Sequence, residues 1–341
     1  MLRSHLRTEI GEQPDVLARL LVREGANVRR IARSLSRHDL RFVLIAARGT
    51  SDNAARYAQY ALGLTCRLPV ALAGPSLVTL YDSPPKLKGA LVVGISQSGR
   101  SPDVVETIAA ARAAGSPTLA IVNDIDSPLA RAAGEVIPLH AGEERSIAAT
   151  KTYTAQLLAV ALLASALSGS RRYAEGLGAL PDAVADALGT EAAARRAAAR
   201  LAHASRLVVL SRGLNYPTAH EIALKLKELA LLDAEALSGA DFMHGPIALA
   251  GPKLPTIVVS PPGTATEADL AALASELRHR GSPVLLIGPT ERGSLPVPRL
   301  PELLSPIVAI VPGQLLAFHA ARARGLDPDA PRGLSKVTET R

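Results

Sequence analysis

The chain repeats itself. Arg41-Phe-Val-Leu-Ile-Ala-Ala-Arg48-Gly49 returns as Arg206-Leu-Val-Val-Leu-Ser-Arg212-Gly213. Arg112-Ala-Ala-Gly115-Ser116-Pro117-Thr-Leu-Ala-Ile121 returns as Arg278-His-Arg-Gly281-Ser282-Pro283-Val-Leu-Leu-Ile287, and between them Leu91-Val-Val matches Ile257-Val-Val. Several landmarks thus share a spacing of about 165 residues, the mark of a duplicated unit. A chain of 341 residues has room for two units of ordinary domain size.

Within each copy, short β-branched runs alternate with alanine-rich helical stretches. That is the α/β pattern of a parallel sheet with helices on both faces. Strands are expected near 42–47, 68–72, 90–95, 117–122 and 135–138, and again near 206–211, 255–259, 283–287 and 306–311. The expected organisation is an N-terminal helical segment over 1–30, a first unit over 31–167, a second over 190–325 and a tail over 326–341. Gly, Pro and Ser mark the connection at 168–190, and Asp, Pro and Arg mark the tail as extended. Apolar residues make up 48% of the chain but aromatics only 3%, so the cores must be aliphatic.

Composition also narrows the function. Cys66 is the single cysteine, which leaves no internal disulfide or cysteine-based metal site and suits a reducing, cytoplasmic setting. The net charge of +7 is dispersed among arginines without interleaved aromatics or a basic tail, so no nucleic-acid partner is expected. Arg and Glu stud the first 30 residues, unlike a secretory signal. The apolar stretch Leu157 to Leu167 is too short to span a bilayer, so no membrane partner is expected either.

The first candidate site is a loop. The apolar run from Ala90 ends in Ser96-Gln97-Ser98-Gly99-Arg100-Ser101-Pro102-Asp103, and an amphipathic helix follows. Helix starts offer unpaired N–H groups and a partial positive charge, which three serines and an amide turn into a cradle for a phosphate monoester. The alternative role of these serines is to cap the helix. No Lys follows Gly99, so this is not a nucleoside-triphosphate loop. Gly49-Thr50-Ser51 also follows a strand, so the two hydroxyl loops can face one crevice at the strand ends. In the second copy the loop reads Ser260-Pro-Pro-Gly-Thr-Ala265, without the Gln and the middle serine; phosphate is expected on the first copy alone.

The second copy carries the residues that can move protons. Pro217 opens a helix on which Glu221, Lys225 and Glu228 form one polar stripe beside the apolar Ile222, Leu226 and Leu229. A Glu with Lys at i+4 is also an ordinary surface pair. His220-Glu221 lacks the second histidine of H-E-x-x-H, since Leu224 stands there, so no metal is expected. Beyond lies His244, held in a loop by Gly245-Pro246 and suited to proton transfer near neutral pH. In the tail, Lys336 is either a solvated charge or a group that folds over a sugar phosphate to polarise a carbonyl or form an imine.

These motifs resemble the sugar-isomerase (SIS) domain proteins. The resemblance runs from Glu9-Ile-Gly-Glu-Gln-Pro14 through Gly49-Thr-Ser51, Ser96-Gln-Ser-Gly99, Ala149-Thr-Lys151-Thr, Leu224-Lys-Leu-Lys-Glu228, His244-Gly-Pro246 and Asp329-Ala-Pro-Arg332 to Lys336. It is closest to the isomerase half of glutamine–fructose-6-phosphate aminotransferases and to SIS-type glucosamine-6-phosphate deaminases. It implies two tandem SIS domains of flavodoxin-like, three-layer form, in a homodimer acting on hexose or hexosamine 6-phosphates without metal or organic cofactor. By position, Ser51, Ser96, Gln97, Ser98 and Ser101 correspond to phosphate binders, with Thr50 beside them. Glu228 corresponds to the base that moves a proton between C1 and C2, His244 to the ring-opening histidine, Lys336 to the tail lysine near C2, and Lys225 to the helix lysine lining the site.

Met243 stands where the aminotransferase has lysine, and the sequence enters this region directly after Met1-Leu2, without the glutaminase apparatus. The expected reaction is therefore conversion of glucosamine 6-phosphate to fructose 6-phosphate and ammonia. The alternatives are glutamine-independent synthesis of glucosamine 6-phosphate, another phosphosugar aldose–ketose isomerisation, and a non-catalytic sugar-phosphate sensor. A sensor of this family usually carries a DNA-binding helical domain, for which the roughly 30 residues before the first strand are too few.

Overall fold

The structure, a computed structural model, describes residues 4–336. The first sheet contains β1 (Phe42–Ala46), β2 (Val70–Leu72), β3 (Ala90–Ser96), β4 (Thr118–Val122) and β5 (Glu135–Pro138), in the order β2-β1-β3-β4-β5. The second contains β6 (Arg206–Ser211), β7 (Asp233–Ser238), β8 (Thr256–Val259), β9 (Val284–Gly288) and β10 (Leu295–Pro296), in the order β10-β9-β8-β6-β7. Read from its other edge, the second order is the first again. Every pairing is parallel. The duplication seen in the sequence is thus a duplication of topology, and the fold is α/β with two parallel sheets flanked by helices.

Alternation along the strands builds each core. Leu44, Ala46, Val92, Ala120 and Val122 face the helices Pro102–Ala113 and Pro128–Ala132 through Val104, Ile108 and Leu129. Their counterparts Val208, Leu210, Val258 and Leu286 meet Leu270, Leu273 and Leu277 of the helix Glu267–His279. Successive strand residues point to opposite faces, so a period of two selects the same positions in both copies.

Two expectations need correction. Residues 306–311 are not a strand: Pro306-Ile-Val-Ala-Ile-Val opens the helix Ser305–Ala323, with Pro306 in its first turn. A short β-branched run looks alike in a buried helix and in a buried strand. The strands missing from the expected set are β7 and β10. Asp233-Ala-Glu-Ala-Leu-Ser has helix-forming composition, yet it pairs along its whole length with β6. The stretch Glu302–Ala323 is long and apolar enough to cross a membrane, and 94% of its apolar window is buried inside the protein.

The chain divides into two compact units. One holds the first sheet and comprises Asp15–Glu144, Lys151–Leu177 and the described residues from Ser335 on. The other holds the second sheet and comprises the described residues up to Pro14, Arg145–Thr150 and Gly178–Leu334. In this second unit the buried helix Ser305–Ala323 packs against the helix Tyr216–Ala230. A Cβ on Gly313 would lie 2.4 Å from Ile222 Cγ1, so glycine sets how closely the two helices approach.

Candidate active site

In a sheet ordered 2-1-3-4-5, connections leave β1 and β3 in opposite directions, and the crevice between them is the usual ligand position. β1 and β3 are neighbours, with Ala46 opposite Gly94. Both hydroxyl loops of the first unit therefore leave from this switch point, as expected. Thr50 and Ser51 begin the helix Thr50–Cys66 behind Gly49, whose φ is +55°. Ser51 is buried, and its Oγ accepts a 2.9 Å hydrogen bond from Gln156 Nε2.

After β3 the backbone turns sharply. Gly99 has φ +65°, and a Cβ there would lie 2.2 Å from Ser127 Oγ. Ser96 Oγ accepts the Gly99 N–H at 3.0 Å, while Ser98 Oγ accepts the Arg100 N–H at 3.3 Å. The Gln97 carbonyl accepts the Asn123 N–H at 3.3 Å. Ser101 occupies the N-cap of the helix Pro102–Ala113, yet its side chain makes no capping bond. Capping therefore does not account for Ser101. Gln97, Ser98 and Ser101 are half-buried at the loop surface, where an anion can reach them.

The equivalent loop of the second unit is occupied by its own carboxylate. The N–H of Gly263, the counterpart of Gly99, donates to Glu267 Oε2 at 2.7 Å. Pro261 and Pro262 supply no donors. A fixed negative charge on this loop opposes a second anion.

Lys225 lies between two carboxylates of its own helix. Its ammonium lies 2.5 Å from Glu228 Oε2 and 3.4 Å from Glu221 Oε1. Lys225 and Glu221 are buried, whereas the Glu228 side chain is 23% exposed and open to a ligand. This is not the surface pair that i, i+4 spacing ordinarily makes. Ile222, Leu226 and Leu229, fully buried, hold the helix so that the polar stripe is also enclosed. His244 ends the short helix Gly239–Met243, pinned between buried Phe242 and Gly245 at φ +134°. It is exposed, and among the described residues its ring makes no hydrogen bond or ion pair.

The tail lysine is not a wholly solvated charge. Lys336 Nζ, 26% exposed, donates at 3.2 Å to Oε2 of Glu144, whose side chain has no exposed surface. Glu144 was not foreseen, and neither was the burial of Glu221. No local pattern marks Glu144, because its partners Thr152 and Lys336 lie 8 and 192 residues away. Among the described residues, no cluster of three or more His, Cys, Asp or Glu could hold a metal ion.

The SIS domain profile matches residues 38–166 and 200–316. The chain is 38% identical over 356 residues to the isomerizing glutamine–fructose-6-phosphate aminotransferase of Gloeobacter violaceus, across 98% of this chain and 58% of that protein. It thus spans less than three fifths of that relative's length. A candidate phosphosugar isomerase from Silicibacter pomeroyi DSS-3 superposes with a TM-score of 0.86 at 33% identity, covering 96% of this chain and all of that one. The C-terminal domain of a glucosamine–fructose-6-phosphate aminotransferase from Francisella tularensis also gives 0.86, at 26% identity, covering 96% of this chain and 98% of that one.

Proposed function

Because the chain belongs to the SIS domain family, we propose that it moves the carbonyl of a hexose 6-phosphate between C1 and C2. We further propose that it aminates fructose 6-phosphate with free ammonia to give glucosamine 6-phosphate. The observation that carries this reading is Lys225 held between Glu221 and Glu228, with Glu228 alone of the three reaching solvent. A carboxylate fixed by a buried cation and open on one side is equipped to carry one proton between adjacent carbons.

In this mechanism Thr50, Ser51 and the Ser96–Ser101 loop hold the phosphate, and anchoring far from the reacting carbons orients the sugar. His244 transfers the proton that opens the ring. Lys336 polarises the C2 carbonyl; ammonia adds at C2 and water leaves, forming an imine. Glu228 then takes a proton from C1 and returns it to C2 through an enolamine, while the C1 hydroxyl gives up its proton and the nitrogen gains one, which leaves an aldehyde at C1 and the amine at C2. The reverse sequence releases ammonia from glucosamine 6-phosphate. Deamination was the direction expected from Met243, but 38% identity to an aminotransferase across nearly the whole chain weighs for amination.

Purified protein incubated with fructose 6-phosphate and ammonium salt tests the proposal. Glucosamine 6-phosphate is expected to accumulate with ammonia dependence and to be lost in Glu228→Gln. Ammonia release from glucosamine 6-phosphate, without synthesis at high ammonium, would restore the deaminase reading. Binding without turnover across hexose and hexosamine phosphates would make the protein a sensor and end the enzymatic one.

A further inference from the structure

Glu144 has attachments that its place in the sequence does not announce. Its carboxylate lies at the start of the helix Lys151–Ser168, where Thr152 donates its N–H to Oε1 at 3.2 Å and its hydroxyl to Oε2 at 2.6 Å. A carboxylate at a helix start is stabilised by the unpaired N–H groups and the dipole. Oε2 also receives Lys336 Nζ at 3.2 Å. The Glu144 side chain has no exposed surface, whereas Lys336 retains 26%. The carboxylate is thus a fixed part of the fold, and the lysine is the partner that can turn.

We propose that Glu144 is a positioning residue that holds the tail lysine Lys336 ready for the sugar-phosphate chemistry; this rests on the function proposed above. An ammonium on a flexible four-carbon stem has many rotamers, and a buried counter-charge selects one of them. The Glu143 carbonyl accepts a 2.6 Å hydrogen bond from Lys151 Nζ, which ties the preceding backbone to the same helix start. The tail is held upstream as well. Asp329 accepts hydrogen bonds from Ser4 Oγ at 3.1 Å and from the N–H groups of His5 and Leu6 at 3.0 and 2.8 Å. Glu144 would touch no substrate; its effect passes through Lys336.

The test needs a measurement that does not depend on turnover. Amine acetylation, followed by peptide mass spectrometry, reports Lys336 directly, with exposed Lys253 as internal reference. Glu144→Gln keeps a carbonyl oxygen for Thr152 and removes the charge that Lys336 seeks. It is expected to raise Lys336 labelling about threefold or more relative to Lys253. Thr152→Val removes a hydroxyl donor to the same carboxylate but leaves its charge in place, and is expected to change that ratio far less than Glu144→Gln.

In the synthesis assay, Glu144→Gln is expected to lower kcat about tenfold or more with little change in KM for the phosphosugar. Adding it to Lys336→Ala should cause no further loss. Should Glu144→Gln fail to fold, Glu144→Asp withdraws the charge by one carbon, with the same changes expected at smaller amplitude. Unchanged Lys336 labelling overturns the proposal whatever the activity, and raised labelling with kcat intact overturns it equally. If the wild type converts no sugar phosphate, the functional reading falls, while labelling still decides whether Glu144 holds Lys336.

Discussion

Arg48 and Asp103 join the two hydroxyl loops of the first unit: Nη2 of Arg48 lies 2.5 Å from a carboxylate with no exposed surface. Arg48 immediately precedes Gly49-Thr50-Ser51, and Asp103 closely follows Ser101. In the second unit Arg212, the counterpart of Arg48, also meets a carboxylate near the start of the following helix, Asp269, at 2.6 Å. There, however, the Asp269 side chain is 63% exposed.

This difference in burial predicts unequal costs for the same substitution. Arg48→Met strands a buried carboxylate and is expected to destabilise by about 3 kcal/mol. Arg212→Met leaves an exposed carboxylate that water solvates, at a cost below about 1 kcal/mol. Urea denaturation of the two variants measures both. Equal losses would show that the buried pair is no more than a surface contact.

Gly313 sets the seat of the helix that carries Glu221, Lys225 and Glu228. Gly313→Ala drives a methyl to within 2.4 Å of Ile222 Cγ1 and 2.7 Å of its Cδ1. Overpacking of this kind costs about 1–3 kcal/mol. A fall in kcat is expected with it, since Glu228 moves with its helix. Combining it with Ile222→Ala opens the space, so the double variant should be less destabilised than the sum of the singles. Additive thermal-denaturation losses would contradict the clash.

Gly99 and Gly263 hold equivalent turns, yet only the first belongs to the proposed phosphate loop. A Cβ on Gly99 meets Ser127 Oγ at 2.2 Å and Ser127 Cβ at 2.5 Å, both close to the chain. A Cβ on Gly263 meets the flexible Arg299 side chain. Both variants bear the strain of a positive φ. Gly99→Ala should also raise KM for the phosphosugar about tenfold or more, while Gly263→Ala leaves it near wild type. Steady-state kinetics on the pair separates a binding loop from a turn.

Acid should weaken the second unit in two stages. Burial holds the His319 imidazole below its ordinary 6.5, a stronger effect than the upward pull of Glu191 at 3.2 Å. The unfolded chain thus binds a proton there before the folded chain does, and stability falls as pH drops below 6.5. The Arg7 guanidinium holds Glu191 below its ordinary 4.5, opposed by burial. Its contribution is present above 4.5 and is lost as pH falls through the lowered folded value. In melting temperatures measured from pH 8 down to about 3, His319→Phe should lose the upper stage and retain the lower. An identical curve would assign that stage to other groups.

Much of the fold was legible before any coordinates, because its signals are local. The β-branched runs at 42–46, 90–96 and 118–122 announced strands, and Ser96 to Asp103 announced a turn into a helix. The turn signal was complete because Gly99 and Pro102 act on their own backbone. β7 was hidden because Asp233-Ala-Glu-Ala-Leu-Ser gains its conformation from the ladder with β6. Residues 306–311 misled because apolar runs carry no period.

By itself the sequence determined a duplicated α/β chain, with its hydroxyl loops at strand ends and with Glu221, Lys225 and Glu228 along one stripe of a helix. Periodicity and turn chemistry act between neighbours, so they can be read along a line. Tertiary structure alone decided that Lys225 is enclosed between two carboxylates, that Glu144 holds Lys336, and that Arg48 and Arg212 differ in what their partners cost to bury. Burial sets the strength of a charge by the water that packing removes, and no interval along the chain specifies which groups packing will enclose.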